Sequence, residues 1–327
     1  MVLRAGLLGV GMMGRHHARV LREIDGVELV AIADPGGDPH GVADDLEILP
    51  DVEALIAQHI DIAVVAVPTR FHEEAALKLA AAGVHTLVEK PIAHSIAAGQ
   101  RMVDAFREAG LVGAVGHIER FNPALQELRR RLEAGELGAV YQIQTRRQGP
   151  FPARISDVGV AKDLASHDVD LTAWVAQSDY ETVFAQTTFK SGREHEDMIA
   201  ITGRLESGVI VNHLVNWLSP MKERVTVVTG EKGAFVADTS TGDLTFFANG
   251  TIPLQWESVT AFRGVSEGNV TRYAFVKREP LRVEHEAFRD AVLRLSSEVV
   301  TMAQGQRTLS VVEAALASAR GSAVVAL

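Results

Sequence analysis

A glycine-rich turn between a short apolar run and a helix constrains the fold of this chain more than any other feature. The apolar run that begins at Leu3 leads into Gly9-Val10-Gly11-Met12-Met13-Gly14, and an apolar pattern with helical spacing follows. A second apolar run, from Val27 to Ala33, ends at Asp34, twenty residues after Gly14. This order predicts a strand, a tight turn, a helix and a second strand, which together form one unit of a parallel α/β sheet.

Each glycine of this turn has a separate task in a dinucleotide-binding unit. Gly9 permits the tight turn, Gly11 lets the backbone approach a pyrophosphate, and Gly14 lets the helix pack closely on the strand. The pyrophosphate then lies at the positive end of the helix, where backbone N–H groups point at it. We therefore predict a cofactor site that includes Gly9, Gly11, Met12, Met13 and Gly14; a turn without a ligand is the alternative.

Asp34 indicates which dinucleotide this site binds. A carboxylate at the end of the second strand can accept hydrogen bonds from the adenosine ribose, and it repels a 2′-phosphate. The sequence therefore favours NAD over NADP.

The ends of two later strands are expected to border the same site, because ligands of open α/β sheets bind beyond the carboxyl ends of the strands. The run from Asp61 to Val67 is continuously apolar, as in a strand buried on both faces, and Pro68, Thr69 and His72 follow it. For His72, a partly exposed place in the first turn of a helix over residues 70–82 is equally consistent.

The next strand, from Val84 to Val88, runs directly into Glu89-Lys90-Pro91. A lysine at the carboxyl end of a strand, followed by proline, is well placed to face a bound ring, although a solvated surface lysine is the alternative. With a helix over 95–109 and a strand over 111–115, the pattern predicts a doubly wound parallel sheet, a Rossmann domain, over residues 1–120.

After residue 120 the pattern changes to that of a second domain, 121–327. From Val140 onward the apolar residues mostly alternate, which indicates strands of a large, mostly antiparallel open sheet. Helices are expected over 122–134, 160–176, 281–295 and 310–319. We predict that this α+β domain binds substrate and mediates oligomerisation.

The helix over 160–176 carries the residues best suited to acid–base chemistry. Asp163, His167, Asp170 and Trp174 fall within about 60° of one another on a regular α-helix. A histidine one turn from a carboxylate can be held in one tautomer and can remove a proton from an alcohol. An alternative explains the spacing equally well: Asp163 stabilises the positive end of the helix dipole, and His167 is a half-buried residue without a catalytic role. No third ligand has a convincing spacing for a metal, so none is predicted.

Composition excludes several other classes of protein. The net charge of −10 argues against nucleic-acid binding, and the absence of cysteine excludes disulfides, thiolate nucleophiles and cysteine-based metal sites. No apolar run reaches the length of a membrane span, and no signal peptide is recognised. We expect a cytoplasmic protein.

The glycine motif, Asp34, Glu89-Lys90-Pro91 and the pair Asp163 and His167 together resemble the glucose-fructose oxidoreductase/inositol dehydrogenase (Gfo/Idh/MocA) family. The resemblance extends to Leu309–Ala314 in the last helix. It implies an NAD-dependent enzyme in which Lys90 polarises the reacting oxygen and holds the nicotinamide end, His167 acts as acid or base, and Asp163 orients His167.

Four segments resemble the branch of this family that oxidises C3 of UDP-N-acetylglucosamine or its uronate: 116–123, 146–154, 157–160 and 166–170. Such substrates carry a diphosphate, and Arg147 and Arg154 are candidate partners because guanidinium groups bind phosphate bidentately. Ordinary surface or ion-paired arginines are equally consistent. Lys162 departs from the small apolar residues common beside the helix acid.

The predicted function is hydride transfer between a secondary hydroxyl of a sugar, such as C3 of a nucleotide sugar, and NAD. The alternatives are a dehydrogenase of a free sugar or polyol, reduction of an imine or enone-like substrate as in biliverdin-type relatives, and a non-catalytic regulator that senses NAD(H). A homodimer or homotetramer is expected, because an exposed apolar sheet face is usually covered.

Overall fold

The computed structural model describes residues 2–152, 158–250 and 266–327. The chain divides into two compact units. The first comprises Met1–Ile118 and Glu279–Ser310, and the second comprises Glu119–Arg278 and Val311–Leu327.

The first unit is built on a six-stranded sheet with the order β3-β2-β1-β4-β5-β6, in which every neighbouring pair is parallel. The strands are β1 (Leu3–Leu8), β2 (Val27–Ala33), β3 (Ile48–Leu49), β4 (Ile62–Val65), β5 (His85–Val88) and β6 (Gly113–Val115). All four residues of β4 are buried, as expected of a strand covered on both faces. The predicted Rossmann fold is confirmed.

Helices cover the two faces of this sheet and form two apolar clusters with it. They are Gly14–Glu23, Val52–Ile56, His72–Ala81, Ile96–Glu108 and Pro280–Val292. Two of them start at side-chain caps: Asp51 accepts a hydrogen bond from the Ala54 N–H, and Ser95 accepts one from the Ala98 N–H. The Ser95 cap explains why the helix predicted over 95–109 begins close to the predicted residue.

The second unit contains a nine-stranded sheet with the order β14-β13-β12-β11-β7-β10-β9-β8-β15. Its strands are β7 (Val140–Pro150), β8 (Tyr180–Thr188), β9 (Met198–Leu205), β10 (Ile210–Asn216), β11 (Leu218–Gly230), β12 (Gly233–Asp238), β13 (Asp243–Gly250), β14 (Ser266–Arg272) and β15 (Val325–Ala326). β7 and β10 pair in parallel, and the other described pairs are antiparallel. The predicted mostly antiparallel sheet is therefore confirmed.

The helices of the second unit pack on this sheet through one apolar cluster. They include Pro123–Glu133 and Ser166–Ala176, the second of which is preceded by a π-helical turn, Ala161–Ala165. Asn122 caps the first helix by accepting a hydrogen bond from the Ala124 N–H, and proline occupies the first turn. The cluster buries apolar side chains from helices and strands alike, among them Leu125, Leu171, Val211 and Phe235.

The two units differ from the predicted domains in one segment. The sequence assigned all residues from 121 to 327 to the second domain, but residues 279–310 belong to the first unit. Leu281 and Phe288 are buried in the same cluster as Leu21 and Ile24. The last helix is also longer than predicted, Met302–Gly321. An amphipathic pattern predicts a helix, but it does not identify the core on which the apolar side packs.

Candidate active site

The glycine turn of the first unit has the shape that a bound pyrophosphate requires. Gly9 has φ of +97°, and a Cβ atom there would lie 2.7 Å from the carbonyl oxygen of Ala66. A Cβ on Gly14 would overlap the carbonyl oxygen of Gly9, whereas one on Gly11 would meet no atom within 4 Å. In the described structure, no side chain caps the helix that begins at Gly14. The Arg15 and His16 N–H groups donate to the carbonyl oxygens of Gly11 and Met13, so the positive end of the helix dipole and the open space beside Gly11 are what favour an anion here. These residues therefore fit the diphosphate of a dinucleotide.

Asp34 joins the glycine turn to the loop after β2. Its Oδ2 atom accepts a hydrogen bond from the Val10 N–H over 2.9 Å, and its Oδ1 atom accepts one from the Gly36 N–H over 2.7 Å. Each carboxylate oxygen has a second lone pair. Asp34 can therefore hold the turn and still accept a hydrogen bond from a ribose hydroxyl.

Pro68 and Thr69 follow β4, and Thr69 begins a short 3₁₀ helix that leads into helix His72–Ala81. His72 is only 1% exposed. Its Nδ1 and Nε2 atoms lie 3.0 and 2.9 Å from the carbonyl oxygens of Pro91 and Val67. Burial lowers the pKa of His72, although both carbonyl contacts act in the opposite direction. The predicted cofactor contact of this side chain is therefore not supported, because its ring atoms are used inside the unit.

Glu89, Lys90 and Pro91 follow β5, and the peptide bond between Lys90 and Pro91 is cis. Glu89 is buried, with 8% of the residue exposed. Its Oε2 atom accepts a hydrogen bond from the Lys90 N–H over 3.0 Å, and its Oε1 atom lies 2.9 Å from Nε2 of His17. Burial by itself would raise the pKa of Glu89, but the hydrogen bond and charge of His17 and the charge of Lys90 lower it overall. Glu89 is therefore an anion inside the first unit.

Sequence reasoning missed a pair of buried histidines, one of which contacts Glu89. His17 lies in helix Gly14–Glu23, and its Nδ1 atom is 2.8 Å from Nε2 of His285 in helix Pro280–Val292. Both residues are at most 1% exposed. Burial, with His17 beside it, holds the pKa of His285 well below its usual value. A signal for His17 was available: it is followed at helical spacing by the apolar residues Val20 and Leu21, so it lies on the inner side of the helix.

In the second unit, the residues predicted for acid–base chemistry lie where a π-helical turn meets an α-helix. Asp163 is in the turn Ala161–Ala165 and is 6% exposed, and His167 follows in the first turn of Ser166–Ala176 with a half-buried side chain. The prediction that Asp163 and His167 lie on one side of the helix assumed a regular α-helix. A π-helical turn contains more residues than an α-helical turn. The angle around the helix axis between Asp163 and the residues that follow the turn therefore differs from the predicted one. Such turns occur often at functional sites.

Glu196 holds the start of this π-helical turn. Its side chain accepts a hydrogen bond from the Ala161 N–H over 2.9 Å, and its carbonyl oxygen accepts one from the Val160 N–H over 3.1 Å. Lys162, the departure from the family pattern, forms an ion pair of 2.6 Å with Glu313. The positive charge next to Asp163 is therefore compensated within the second unit.

The helix Ser166–Ala176 is also held by two buried ion pairs. Arg147 donates to Asp168 over 2.9 Å and to Glu119 over 2.8 Å, and Arg120 forms a bidentate pair with Asp170. Burial by itself would lower the pKa of the Arg147 guanidinium, but the two carboxylates outweigh it and raise that pKa. Asp170 is thus part of an internal ion pair and does not extend the acid–base site.

Arg147 does not match its predicted role as a diphosphate ligand. The residue is 3% exposed, and its guanidinium is occupied by two carboxylates. A phosphate would have to displace these partners in a buried environment. Arg154, the other predicted diphosphate ligand, lies outside the described residues.

The described ranges offer neither a three-ligand metal site nor a membrane-spanning helix. No group of three or more His, Cys, Asp or Glu side chains there is arranged to hold a metal ion. In the same ranges, no helix combines the length and the apolar character needed to cross a membrane.

Comparison with known proteins identifies relatives of both kinds considered above. A UDP-N-acetylglucosamine 3-dehydrogenase of Acidithiobacillus ferrooxidans is 33% identical over 213 residues, which is 64% of this chain and 66% of the relative. A scyllo-inositol 2-dehydrogenase (NAD(+)) of Bacillus subtilis is 31% identical over 191 residues, 55% of this chain and 56% of the relative. These matches span slightly less than two thirds of the first relative and a little over half of the second.

A solved structure of the Acidithiobacillus ferrooxidans UDP-N-acetylglucosamine 3-dehydrogenase is similar over almost the whole chain. Its TM-score is 0.83 at 26% identity, with 98% of this chain and 99% of that chain covered. Residues 3–117 match the family described as "Oxidoreductase family, NAD-binding Rossmann fold", and residues 125–236 match the "GFO/IDH/MocA C-terminal domain". With both of its domains matched, the chain belongs to the NAD-binding Gfo/Idh/MocA oxidoreductase family.

Proposed function

We propose that this protein is an NAD-dependent dehydrogenase that oxidises a secondary hydroxyl of a sugar. The observation that carries the proposal is the placement of His167, half-buried in the first turn of an α-helix that directly follows the π-helical turn containing Asp163. A histidine in this setting can take up and release a proton near neutral pH, which alcohol oxidation requires. The glycine turn and Asp34 supply the matching cofactor site in the first unit.

The residues of the chain divide the chemistry between them. Gly9, Gly11 and Gly14 with the following helix start hold the diphosphate of NAD, and Asp34 holds the adenosine ribose. NAD, when bound, supplies the acceptor for the hydride. His167 takes the proton of the reacting hydroxyl, Asp163 orients the imidazole, and the Lys90 ammonium stabilises negative charge on the reacting oxygen.

For the substrate, we propose a nucleotide sugar such as UDP-N-acetylglucosamine, oxidised at C3. The support is the similarity to the UDP-N-acetylglucosamine 3-dehydrogenase described above. Arg147 gives no support, because its guanidinium is used inside the second unit. A free polyol is the second candidate, and the similarity to an inositol dehydrogenase favours it.

The deciding experiment measures NADH formation by purified protein with a panel of UDP-N-acetylglucosamine, its uronate, glucose, inositol and simple alcohols. Turnover with the nucleotide sugars alone supports the first substrate class, and turnover with free polyols alone supports the second. Tight NADH binding without turnover on any alcohol would instead favour a regulator that senses NAD(H).

The roles of individual residues are tested with the substrate that the panel identifies. We expect Lys90→Ala and His167→Ala each to lower kcat by about 10²–10⁴-fold, the usual range for a lost acid–base or charge-stabilising group, with NADH affinity nearly unchanged. Lys78→Ala is the matched control, because Lys78 is a lysine of the same unit that pairs with Glu53 and Glu74 at the surface. Unchanged kcat in both Lys90→Ala and His167→Ala would refute the assignment.

We also propose that the second unit mediates formation of a homodimer or homotetramer. Ile210 and Leu214 of β10 are 38% and 39% exposed, and both lie on the side of the strand opposite to the buried Val211 and Val215. Light scattering after size-exclusion chromatography tests this, and a monomer at micromolar concentration would contradict it.

A further inference from the structure

Lys90 is flanked on both sides by residues that are held by buried histidines. On one side, Nε2 of His17 lies 2.9 Å from Oε1 of Glu89, whose Oε2 atom accepts the Lys90 N–H over 3.0 Å. On the other side, Nδ1 of His72 lies 3.0 Å from the carbonyl oxygen of Pro91. The two histidine residues are 0% and 1% exposed, so water does not compete for these contacts.

The hydrogen arrangement of the first contact follows from its neighbours. Nε2 of His17 faces a carboxylate oxygen and must carry a hydrogen. Nδ1 of His17 lies 2.8 Å from Nε2 of His285, and one of these two nitrogens donates to the other. Nδ1 of His285 has no hydrogen-bond partner within the described part of the chain. His285 therefore fixes the orientation of the His17 ring, and His17 in turn holds Glu89.

The second contact joins two neighbouring strand ends. Nε2 of His72 lies 2.9 Å from the carbonyl oxygen of Val67, which follows β4, and Nδ1 faces Pro91, which follows the adjacent strand β5. A neutral ring donates to only one of these two carbonyl oxygens, but the buried ring lies between the two segments and limits how far Pro91 can move from the end of β4. Neither this ring nor His17 is exposed enough to meet a substrate.

We propose that His17 and His72 are positioning residues that fix the backbone on both sides of Lys90, and that His285 acts through His17. The inference rests on the proposed function for the role of Lys90 in turnover. A lysine side chain has several rotatable bonds, so its ammonium reaches one place reliably only if the backbone from which it starts is fixed. Displacement of a catalytic group by about 1 Å can lower the rate by about 10²-fold.

The first test compares kinetics with cofactor binding. We expect His17→Ala and His72→Ala each to lower kcat by about 10- to 100-fold, while the Kd for NADH stays within about fivefold of the original. His17→Gln keeps an N–H donor of similar reach to Glu89, so it should recover part of kcat. His85→Ala is the matched control: His85 lies at the start of β5, the strand that leads to Glu89, and its Nδ1 atom accepts the Val112 N–H over 2.8 Å. It should leave kcat unchanged.

The second test reads the lysine directly and needs no substrate. The acetylation rate of Lys90 by acetic anhydride is measured by mass spectrometry on proteins that are folded by circular dichroism. We expect that rate to change by at least about twofold in His17→Ala and His72→Ala and to stay constant in His85→Ala.

The outcomes separate this inference from the proposed function. If Lys90→Ala abolishes turnover while both histidine variants keep kcat and the acetylation rate, the positioning role is wrong and the function stands. If Lys90→Ala leaves turnover unchanged, the proposed role of Lys90 fails, and the acetylation rates alone decide whether the histidines hold it. Equal losses of kcat in His17→Gln, His17→Ala and His85→Ala would indicate a general effect on folding and would also overturn the inference.

Discussion

The buried ion pair between Arg120 and Asp170 permits a quantitative test of how the helix that carries His167 is held. Nε and Nη2 of Arg120 donate to Oδ2 and Oδ1 of Asp170 over 2.7 and 2.6 Å. The two side chains are 9% and 1% exposed, so water cannot replace a missing partner. Removal of the arginine takes the opposite charge away from a buried carboxylate, which costs about 3–5 kcal/mol.

We therefore expect Arg120→Met to lower the free energy of unfolding of the second unit by about 3–5 kcal/mol. For a unit of ~150–250 residues, at roughly 2–4 °C per kcal/mol, this corresponds to a fall in Tm of about 6–20 °C. The double variant Arg120→Met with Asp170→Leu should recover most of the loss, because it removes both buried charges. Trp174 and Trp217 lie in this unit, so tryptophan fluorescence in urea reports its unfolding.

The matched control is Arg130→Met. Arg130 pairs with Glu127, but its side chain is 60% exposed, so its loss should cost no more than about 1 kcal/mol. The reasoning is refuted if Arg120→Met costs as little as Arg130→Met, or if the double variant is less stable than both single variants.

Three further predictions follow from the geometry. Asp34→Ala should relax the preference for NAD, measured as the ratio of kcat/KM values with NAD and NADP, because it removes the charge that repels a 2′-phosphate; an unchanged ratio would assign the preference to another residue. Gly14→Ala should abolish detectable NADH binding by fluorescence titration, since its Cβ would overlap the carbonyl oxygen of Gly9. Gly321→Ala is the control, because Gly321 ends the last helix with open space around it. Burial lowers the pKa of His213 to about 3, so the folded state favours the neutral ring. The unfolded chain takes up a proton on this histidine at a higher pH, near 6.5. The protein therefore keeps its full stability above pH 6.5 and loses part of it as the pH falls from 6.5 towards 3. His213→Gln should therefore reduce the acid-induced loss of unfolding free energy in that range by up to about 5 kcal/mol, and an unaltered pH dependence would contradict the buried neutral ring.

The first unit could be predicted well because its signals are local. The glycines between strand and helix, the acid at the end of β2 and the continuous apolar run of β4 each depend on a few adjacent residues. Helix Pro280–Val292 shows the limit: its apolar side could be read, but its packing against Leu21 and Ile24 joins residues more than two hundred positions apart. No periodicity in the sequence carries that information.

The candidate site shows the same limit for polar residues. The spacing in the sequence identified Asp163 and His167. It did not predict the π-helical turn that contains Asp163, because a wider helical turn does not change the order of apolar and polar residues in a recognisable way. For Arg147 the sequence left two roles open, a diphosphate ligand and an ion-paired arginine. Its partners Asp168 and Glu119 come from other segments, so only the fold reveals that its charge is already compensated.

The same ion pairs bear on how relatives of this protein should be compared. Glu119, Arg120, Arg147, Asp168 and Asp170 come from three of the four segments that suggested a nucleotide-sugar branch, yet they pair with one another inside the second unit. A single exchange at one of these positions leaves a buried charge without its counterpart, so we expect the partners to change together across lineages. Shared residues at these positions then record common ancestry of the scaffold, and they would be retained even where the substrate has changed.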